Sequence, residues 1–164
     1  VIISYGDIVY SPEILSELLK CNSDIGVAID MNWENYWRER NDDPLDDAET
    51  LILSSENHIK EIGQKPKSLK EIQGQYMGLM KFNDKGISLL RSTFYKCKEA
   101  NSIAGKPPES AYMTDLLMQL IKDDQIVCAV PVTETWIEVD TVSDLSANYT
   151  IKRIEEIDTQ LPNL

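Results

Sequence analysis

Basic side chains are scarce in this chain of 164 residues: 16 Lys and Arg stand against 28 Asp and Glu, a formal net charge of −12. Such a surface repels phosphate backbones and anionic headgroups, which argues against unassisted binding of nucleic acid or of an acidic membrane. A phosphate ligand would call for a divalent cation. Cysteine is as thin, with Cys21, Cys97 and Cys128 far apart, odd in number and without zinc spacing, a usage that suits reduced core thiols in a cytoplasm-like compartment. The lone histidine, His58, falls in an expected hairpin and reads as a surface residue rather than a catalytic base. No apolar run approaches the length of a membrane span, and the amino terminus has neither the basic start nor the small-residue cleavage site of a secretory signal. No repeat, low-complexity segment or second domain interrupts a length that suits one domain with a core of its own.

What the chain does have is an alternation of short apolar runs with amphipathic stretches, the signature of an α/β domain. Val1 to Tyr5 reads as a buried strand that begins at once, as though inside a fold, and Gly6-Asp7 breaks it. Ser11-Pro12 opens a helix to about Lys20 whose stripe is Ile14, Leu15, Leu18 and Leu19. Asp24 to Met31 is a second buried strand, completing a β-α-β unit and predicting a parallel sheet. Asn32 to Asp47 crowds Trp33, Tyr36 and Trp37 with Arg38, Arg40 and a run of acids, read as a short helix leading into a loop. Glu49 to Leu53 and Asn57 to Ile62 predict an antiparallel hairpin. Gln73 to Phe82 is a strand whose glycines permit close approach of a ligand or a neighbouring backbone. A helix capped by Asn83 or Asp84 follows, then one from Ser110 with Tyr112 and Asp115 three apart near its start, which suits either a pocket wall or a partly exposed pair. Gln125 to Pro131 is a further strand, Thr141 to Leu145 opens a last helix, and the tail from Gln160 to Leu164 is expected to fray.

The rest of the chain is arranged around the stretch Thr135-Trp136-Ile137-Glu138-Val139-Asp140-Thr141. As a strand it turns Ile137 and Val139 to one face and Trp136, Glu138 and Asp140 to the other. An aromatic ring beside two acids suits a site for a metal and an organic ligand, or else single exposed residues of no consequence; both readings stand. Asp7 and Asp140 each end a predicted strand, at the edge where α/β sheets bind ligands, and together could hold Mg²⁺ against phosphate oxygens.

Six stretches, Tyr5-Gly6-Asp7-Ile8-Val9, Asp46-Asp47-Ala48-Glu49, Ile62-Gly63, Gly74-Gln75-Tyr76-Met77-Gly78-Leu79, Tyr112-Met113-Thr114-Asp115-Leu116-Leu117 and Trp136 to Thr141, together resemble nucleotidyltransferases of the sugar-nucleotide pyrophosphorylase superfamily. The likeness is nearest to cytidylyltransferases that activate phosphocholine or 2-aminoethylphosphonate, and it runs from Val1 to about Leu145. It implies a Rossmann-like nucleotidyltransferase fold, a mainly parallel sheet flanked by helices with an antiparallel hairpin. It also implies Asp7 and Asp140 as Mg²⁺-binding residues and CTP with a small phosphorylated amine or phosphonate as partners, with release of pyrophosphate. Trp136, Glu138, Tyr112, Asp115, Glu49 and Gly78 are the substrate-side candidates, with the Trp136 ring and the Glu138 acid expected to receive a cationic group. No Gly-rich triphosphate loop with Arg and Lys is present, so residues 1–164 resemble the carboxyl-terminal part of one catalytic domain, expected to be inactive alone, with an unpaired edge at Val1 to Tyr5 that favours a dimer. A sugar-1-phosphate nucleotidylyltransferase and a binding module that keeps the fold without the chemistry are the alternatives.

Overall fold

In the computed structural model, which describes residues 1–161, the elements run β1 (Ile2–Ser4), β2 (Ile8–Tyr10), α1 (Pro12–Lys20), β3 (Ile25–Asp30), α2 (Trp33–Arg40), β4 (Leu51–Leu53), β5 (Ile59–Ile62) and β6 (Gln75–Phe82). They continue through α3 (Asp84–Glu99), α4 (Met113–Lys122), β7 (Cys128–Val132), β8 (Trp136–Glu138) and α5 (Asn148–Gln160). Of the tail expected to fray, residues 162–164 lie outside the described residues.

The helices start where the local chemistry stops the preceding chain. Pro12 at the first turn of α1 has no N–H to orphan. At α3 the Asn83 side chain accepts from the Gly86 N–H at 2.8 Å. α4 begins three residues later than the expected start at Ser110, because Pro108–Ser110 form a separate short turn and Asp115 accepts from the Tyr112 N–H at 2.8 Å. Likewise Asp144–Ser146 form a short turn of their own before α5.

Four strands make the main sheet in the order β1-β6-β3-β7. β3 pairs with β7 in parallel, while β6 runs antiparallel to both β1 and β3. The expected parallel arrangement is thus only partly met: β1, β3 and β7 share a direction, but β6 lies reversed between the first two. Nothing in the β6 residues encodes that reversal, since a strand buried on both faces is apolar throughout whichever way it runs. β1, expected to be buried, is an edge strand with Ile2 exposed. The predicted hairpin is present as β4 against β5, and β2 pairs with β8 in a separate antiparallel ribbon.

Two apolar layers cover the sheet. Ile25, Val27 and Ile29 of β3 face a core built with Leu90 and Cys97 of α3, Leu116, Leu117 and Leu120 of α4 and Ile59 and Ile62 of β5. Ala28 faces the other core, where Ile14 and Leu18 of α1 meet Trp33, Tyr36 and Trp37 of α2 and Trp136 and Ile137 of β8. The three cysteines are free thiols, Cys97 in the first core. Among the described residues no helix is long and apolar enough to cross a membrane.

Candidate functional site

β1, β3 and β7 end at the edge where β6 begins, with Asp30 paired to Gln75 across the ladder. Open α/β sheets bind ligands at the carboxyl ends of their strands. A cavity of about 440 Å³ opens there, walled by Trp37 and Asp47 on one side, Glu49, Gln75, Tyr76 and Tyr112 on another, and Glu138 and Asp140 at the end of β8. Two further cavities, about 410 Å³ beside His58 and Lys85 and about 220 Å³ beside Glu39 and Arg153, gather none of the residues picked out by the sequence.

The β2–β8 ribbon brings the two candidate metal ligands to one place. Ile8 lies opposite Glu138, and the Val139 N–H donates to the Asp7 carbonyl oxygen at 2.9 Å, so Asp7 stands beside the residue that precedes Asp140. Both aspartates are exposed. Among the described residues no cluster of three or more His, Cys, Asp or Glu could share a metal. Mg²⁺, which binds through one or two carboxylates and completes its octahedron with water and phosphate oxygens, fits such a donor set; a cation that needs an all-protein cage does not.

Asp140 is not free-standing. The last residue of α2, Arg40, donates from Nη2 to Asp140 Oδ2 at 2.6 Å and from Nη1 to Glu138 Oε1. The Glu138 carboxyl is raised to about 7: burial lifts it, the negative charges of Asp140 and Asp47 add to the rise, and the Arg40 guanidinium offsets only part of it. The backbone of Asp140 is held from the other side by Asp144. Its Oδ2 accepts from the N–H groups of Asp140 at 3.0 Å and Thr141 at 2.7 Å and from the Thr141 hydroxyl at 3.0 Å, and its Oδ1 accepts from the Tyr149 hydroxyl. Burial works to raise Asp144, but these donors outweigh it and hold the carboxyl below its ordinary value.

On the opposite wall, Gln75 clamps the backbone of Glu49, its Oε1 accepting from the Glu49 N–H at 3.2 Å and its Nε2 donating to the Glu49 carbonyl at 2.6 Å. The Glu49 carboxyl is raised by burial first and by the charges of Asp115 and Asp47, against a lowering pull from Lys106. No Lys or Arg among the described residues forms a salt bridge with it. Tyr112 is exposed, with the Lys106 ammonium 5.6 Å from its ring centroid. Asp115 is not a partly exposed residue: it is buried, ion-paired to Lys106 at 2.8 Å, and bears on the cavity by capping the Tyr112 N–H and through its charge at Glu49.

Two residues are not where the strand pattern puts them. Trp136 does not share an open face with Glu138 and Asp140. Its exposure is 0 %, its indole N–H donates to Asp30 Oδ2 at 2.8 Å, and Tyr36 meets it edge-on at 5.6 Å between centroids. Alternation along β8 predicts two faces but not that α2 and α5 close over the second. Gly78 lies off the cavity wall, at φ +75°, where an added Cβ would stand 2.7 Å from the Tyr5 ring. The close approach it permits is to a neighbouring side chain. Tyr5 meets Tyr76 edge-on at 5.7 Å between centroids, and its hydroxyl is raised above its ordinary value by burial first, with the charges of Glu49 and Asp7 adding to the rise.

Trp37, Asp47, Gln75 and Tyr76 of the cavity wall, with Arg40 and Asp144 behind it, are site residues that sequence reasoning did not single out. For Asp144 a signal existed, since Thr141 three residues before it has the spacing of a cap. For Arg40 there was none, because its partner Glu138 lies 98 residues away; Gln75 lay within one of the stretches that carry the resemblance, but its partner Glu49, 26 residues away, could not be read from it.

No protein-family model matches the chain. Over 145 residues it is 35 % identical to the CTP:phosphoglutamine cytidylyltransferase of Campylobacter jejuni, an alignment covering 88 % of this chain and 56 % of the relative. The chain therefore spans about half the length of the curated relative it matches. Its fold is that of the inositol-1-phosphate CTP transferase of T. maritima, with a TM-score of 0.65 at 17 % identity, covering 99 % of this chain and 57 % of that one. The chain thus has the fold of a nucleotidyltransferase and resembles a cytidylyltransferase in sequence.

Proposed function

We propose that this chain carries the metal and acceptor side of a cytidylyltransferase that moves CMP from CTP to a small phosphate or phosphonate bearing a nitrogen group, with release of pyrophosphate. The observation behind this reading is the cavity itself, which draws Glu49, Tyr112 and the Glu138–Asp140 pair from three separate places in the sequence to the edge where Asp7 also stands. An acceptor oxygen, already ionised near neutral pH, attacks the α-phosphorus in line, so the chain needs no general base. Asp7 and Asp140 would hold Mg²⁺, which when bound draws charge from the α-phosphate and offsets the crowding of two anions. The residues of the opposite wall then choose the acceptor. Glu49, desolvated and free of a salt bridge, favours an ammonium or amide N–H over a hydroxyl. Trp136 takes no part, and Tyr112 offers the exposed aromatic surface in its stead.

The test is made on the full-length protein that contains this chain, with CTP and a panel of phosphocholine, 2-aminoethylphosphonate, phosphoglutamine and glucose-1-phosphate. Pyrophosphate release should be fastest with one of the three nitrogen-bearing acceptors, and Glu49→Gln should raise the KM for that acceptor. Asp7→Asn and Asp140→Asn should each lower kcat at least about 100-fold, since a lost metal contact removes several kcal/mol of charge stabilisation. Faster turnover of glucose-1-phosphate would overturn the acceptor class, and normal kcat in both Asn variants would remove the aspartates from the chemistry.

A further inference from the structure

We infer that Arg40 is the positioning residue of Asp140, and that Glu138 serves as the counter-charge of Arg40 rather than as a contact for substrate. The inference rests on the reading of Asp140 as a metal ligand given above. Only 7 % of the Arg40 side chain is exposed. Its guanidinium lies 5.3 Å from the Tyr36 ring centroid and 5.6 Å from that of Trp37, two residues fixed in the second core. From there its two terminal nitrogens reach two different acids, Nη1 to the mostly buried Glu138 and Nη2 to Asp140, which is 45 % exposed. Tyr36 adds a further tie between α2 and β8, its hydroxyl oxygen accepting from the Glu138 N–H at 3.0 Å.

Charge and rigidity decide what this arrangement does. One guanidinium faces two carboxylates, so the three groups carry a net negative charge once all are ionised, and the exposed end of that charge is Asp140. Only Oδ2 of Asp140 accepts the guanidinium, and no hydrogen bond among the described residues engages Oδ1. A buried donor fixing one oxygen while the other stays open is how outer-shell groups orient a metal-binding carboxylate. The opposite role, a cation that must leave before a metal can arrive, is disfavoured because the planar guanidinium cannot withdraw Nη2 without also disturbing Nη1 on Glu138 and its contacts with both rings. Asp140 is therefore held from two directions, its side chain by Arg40 and its N–H by Asp144.

The test is a titration of the full chain with Mn²⁺ as the probe at pH 8, followed by calorimetry or by electron paramagnetic resonance of free Mn²⁺. Four proteins are compared with the wild type: Asp140→Asn, Glu138→Gln, Arg40→Lys, and the double variant Arg40→Gln/Glu138→Gln, which removes the pair without leaving a buried charge alone. Mn²⁺ affinity should fall about 10- to 100-fold in Arg40→Lys and in the double variant, while Glu138→Gln alone, which keeps the guanidinium on Asp140, should lose less. Circular dichroism and thermal melts establish that each variant is folded. Unchanged affinity in the folded double variant would show that Arg40 serves only the fold, and higher affinity would show that it competes with the cation; either overturns the inference. Absent Mn²⁺ binding in the wild type, or wild-type affinity in Asp140→Asn, would instead strike the metal reading beneath it and take this inference down as well.

Discussion

Asp30 and Trp136 make a buried polar contact at the edge of the sheet, the carboxylate accepting from the indole N–H at 2.8 Å and from the Asn32 N–H at 2.7 Å. Burial raises the Asp30 carboxyl above its ordinary value, and those two donors recover only part of the loss. With the folded pKa above the unfolded one, the contribution of Asp30 to stability is full below the unfolded value near 4 and is lost as pH rises through the folded value. Asp30→Asn, which does not ionise, should therefore gain stability relative to the wild type as pH increases from about 4 to 7. Urea melts at the two pH values check this, and a difference that stays constant or shrinks would contradict it. Trp136 shows why this contact was not legible beforehand. Alternation assigns its ring to the Glu138 side, but whether that side meets solvent depends on Tyr36 and Trp37, a hundred residues earlier in the chain.

Among the elements, β6 departs most from regularity. Its pairing with β3 passes from Met80 opposite Val27 to Tyr76 opposite Ile29, so β6 uses four residues where β3 uses two. Gly78 sits inside the bulge, and the Tyr5 N–H donates to its carbonyl at 2.9 Å. Gly78→Ala should cost about 1–3 kcal/mol from the left-handed backbone alone, and more from the 2.7 Å approach to the Tyr5 ring. Denaturant melts would show the loss, and near-ultraviolet circular dichroism would report whether Tyr5 leaves Tyr76, whose ring it meets edge-on at 5.7 Å. A variant as stable as the wild type would mean that the bulge relaxes at no cost. Helices and hairpin were legible because caps and periodicity are local: α1 occupies the Pro12 to Lys20 span, and β4 and β5 fall within their predicted stretches. The reversed direction of β6 and the separation of β2 and β8 into their own ribbon were not, since partner choice is a property of distant segments. The acidic character of the site was legible residue by residue, through Asp7, Glu49, Glu138 and Asp140. The buried Arg40 side chain was not, because it stands in a run of charges that reads as a solvated face.

For the molecule as a whole, an excess of acids with a formal charge of −12 sets the long-range electrostatics. Self-repulsion of that kind weakens the compact state and is screened by salt. Raising NaCl from about 10 to 100 mM shortens the screening length from roughly 30 to 10 Å, and the melting temperature should rise by a few degrees; a fall would mean that exposed pairs such as Lys85 with Asp24 outweigh the net charge. One feature of the sheet bears on how such a chain can change over time. The side chains of β3 alternate between the two cores in unequal sizes, branched Ile25, Val27 and Ile29 on the α3–α4 side against Gly26, Ala28 and Asp30 on the other. An added Cβ at Gly26 would already stand 2.9 Å from Cys21 Sγ. The first face can exchange one branched residue for another with little rearrangement. On the second, a larger side chain at Ala28 or Asp30 would lift the aromatic layer, and with it Arg40 and the strand that presents Asp140. Divergent proteins that keep this chemistry should therefore drift freely on the face remote from α2 and stay small on the near one.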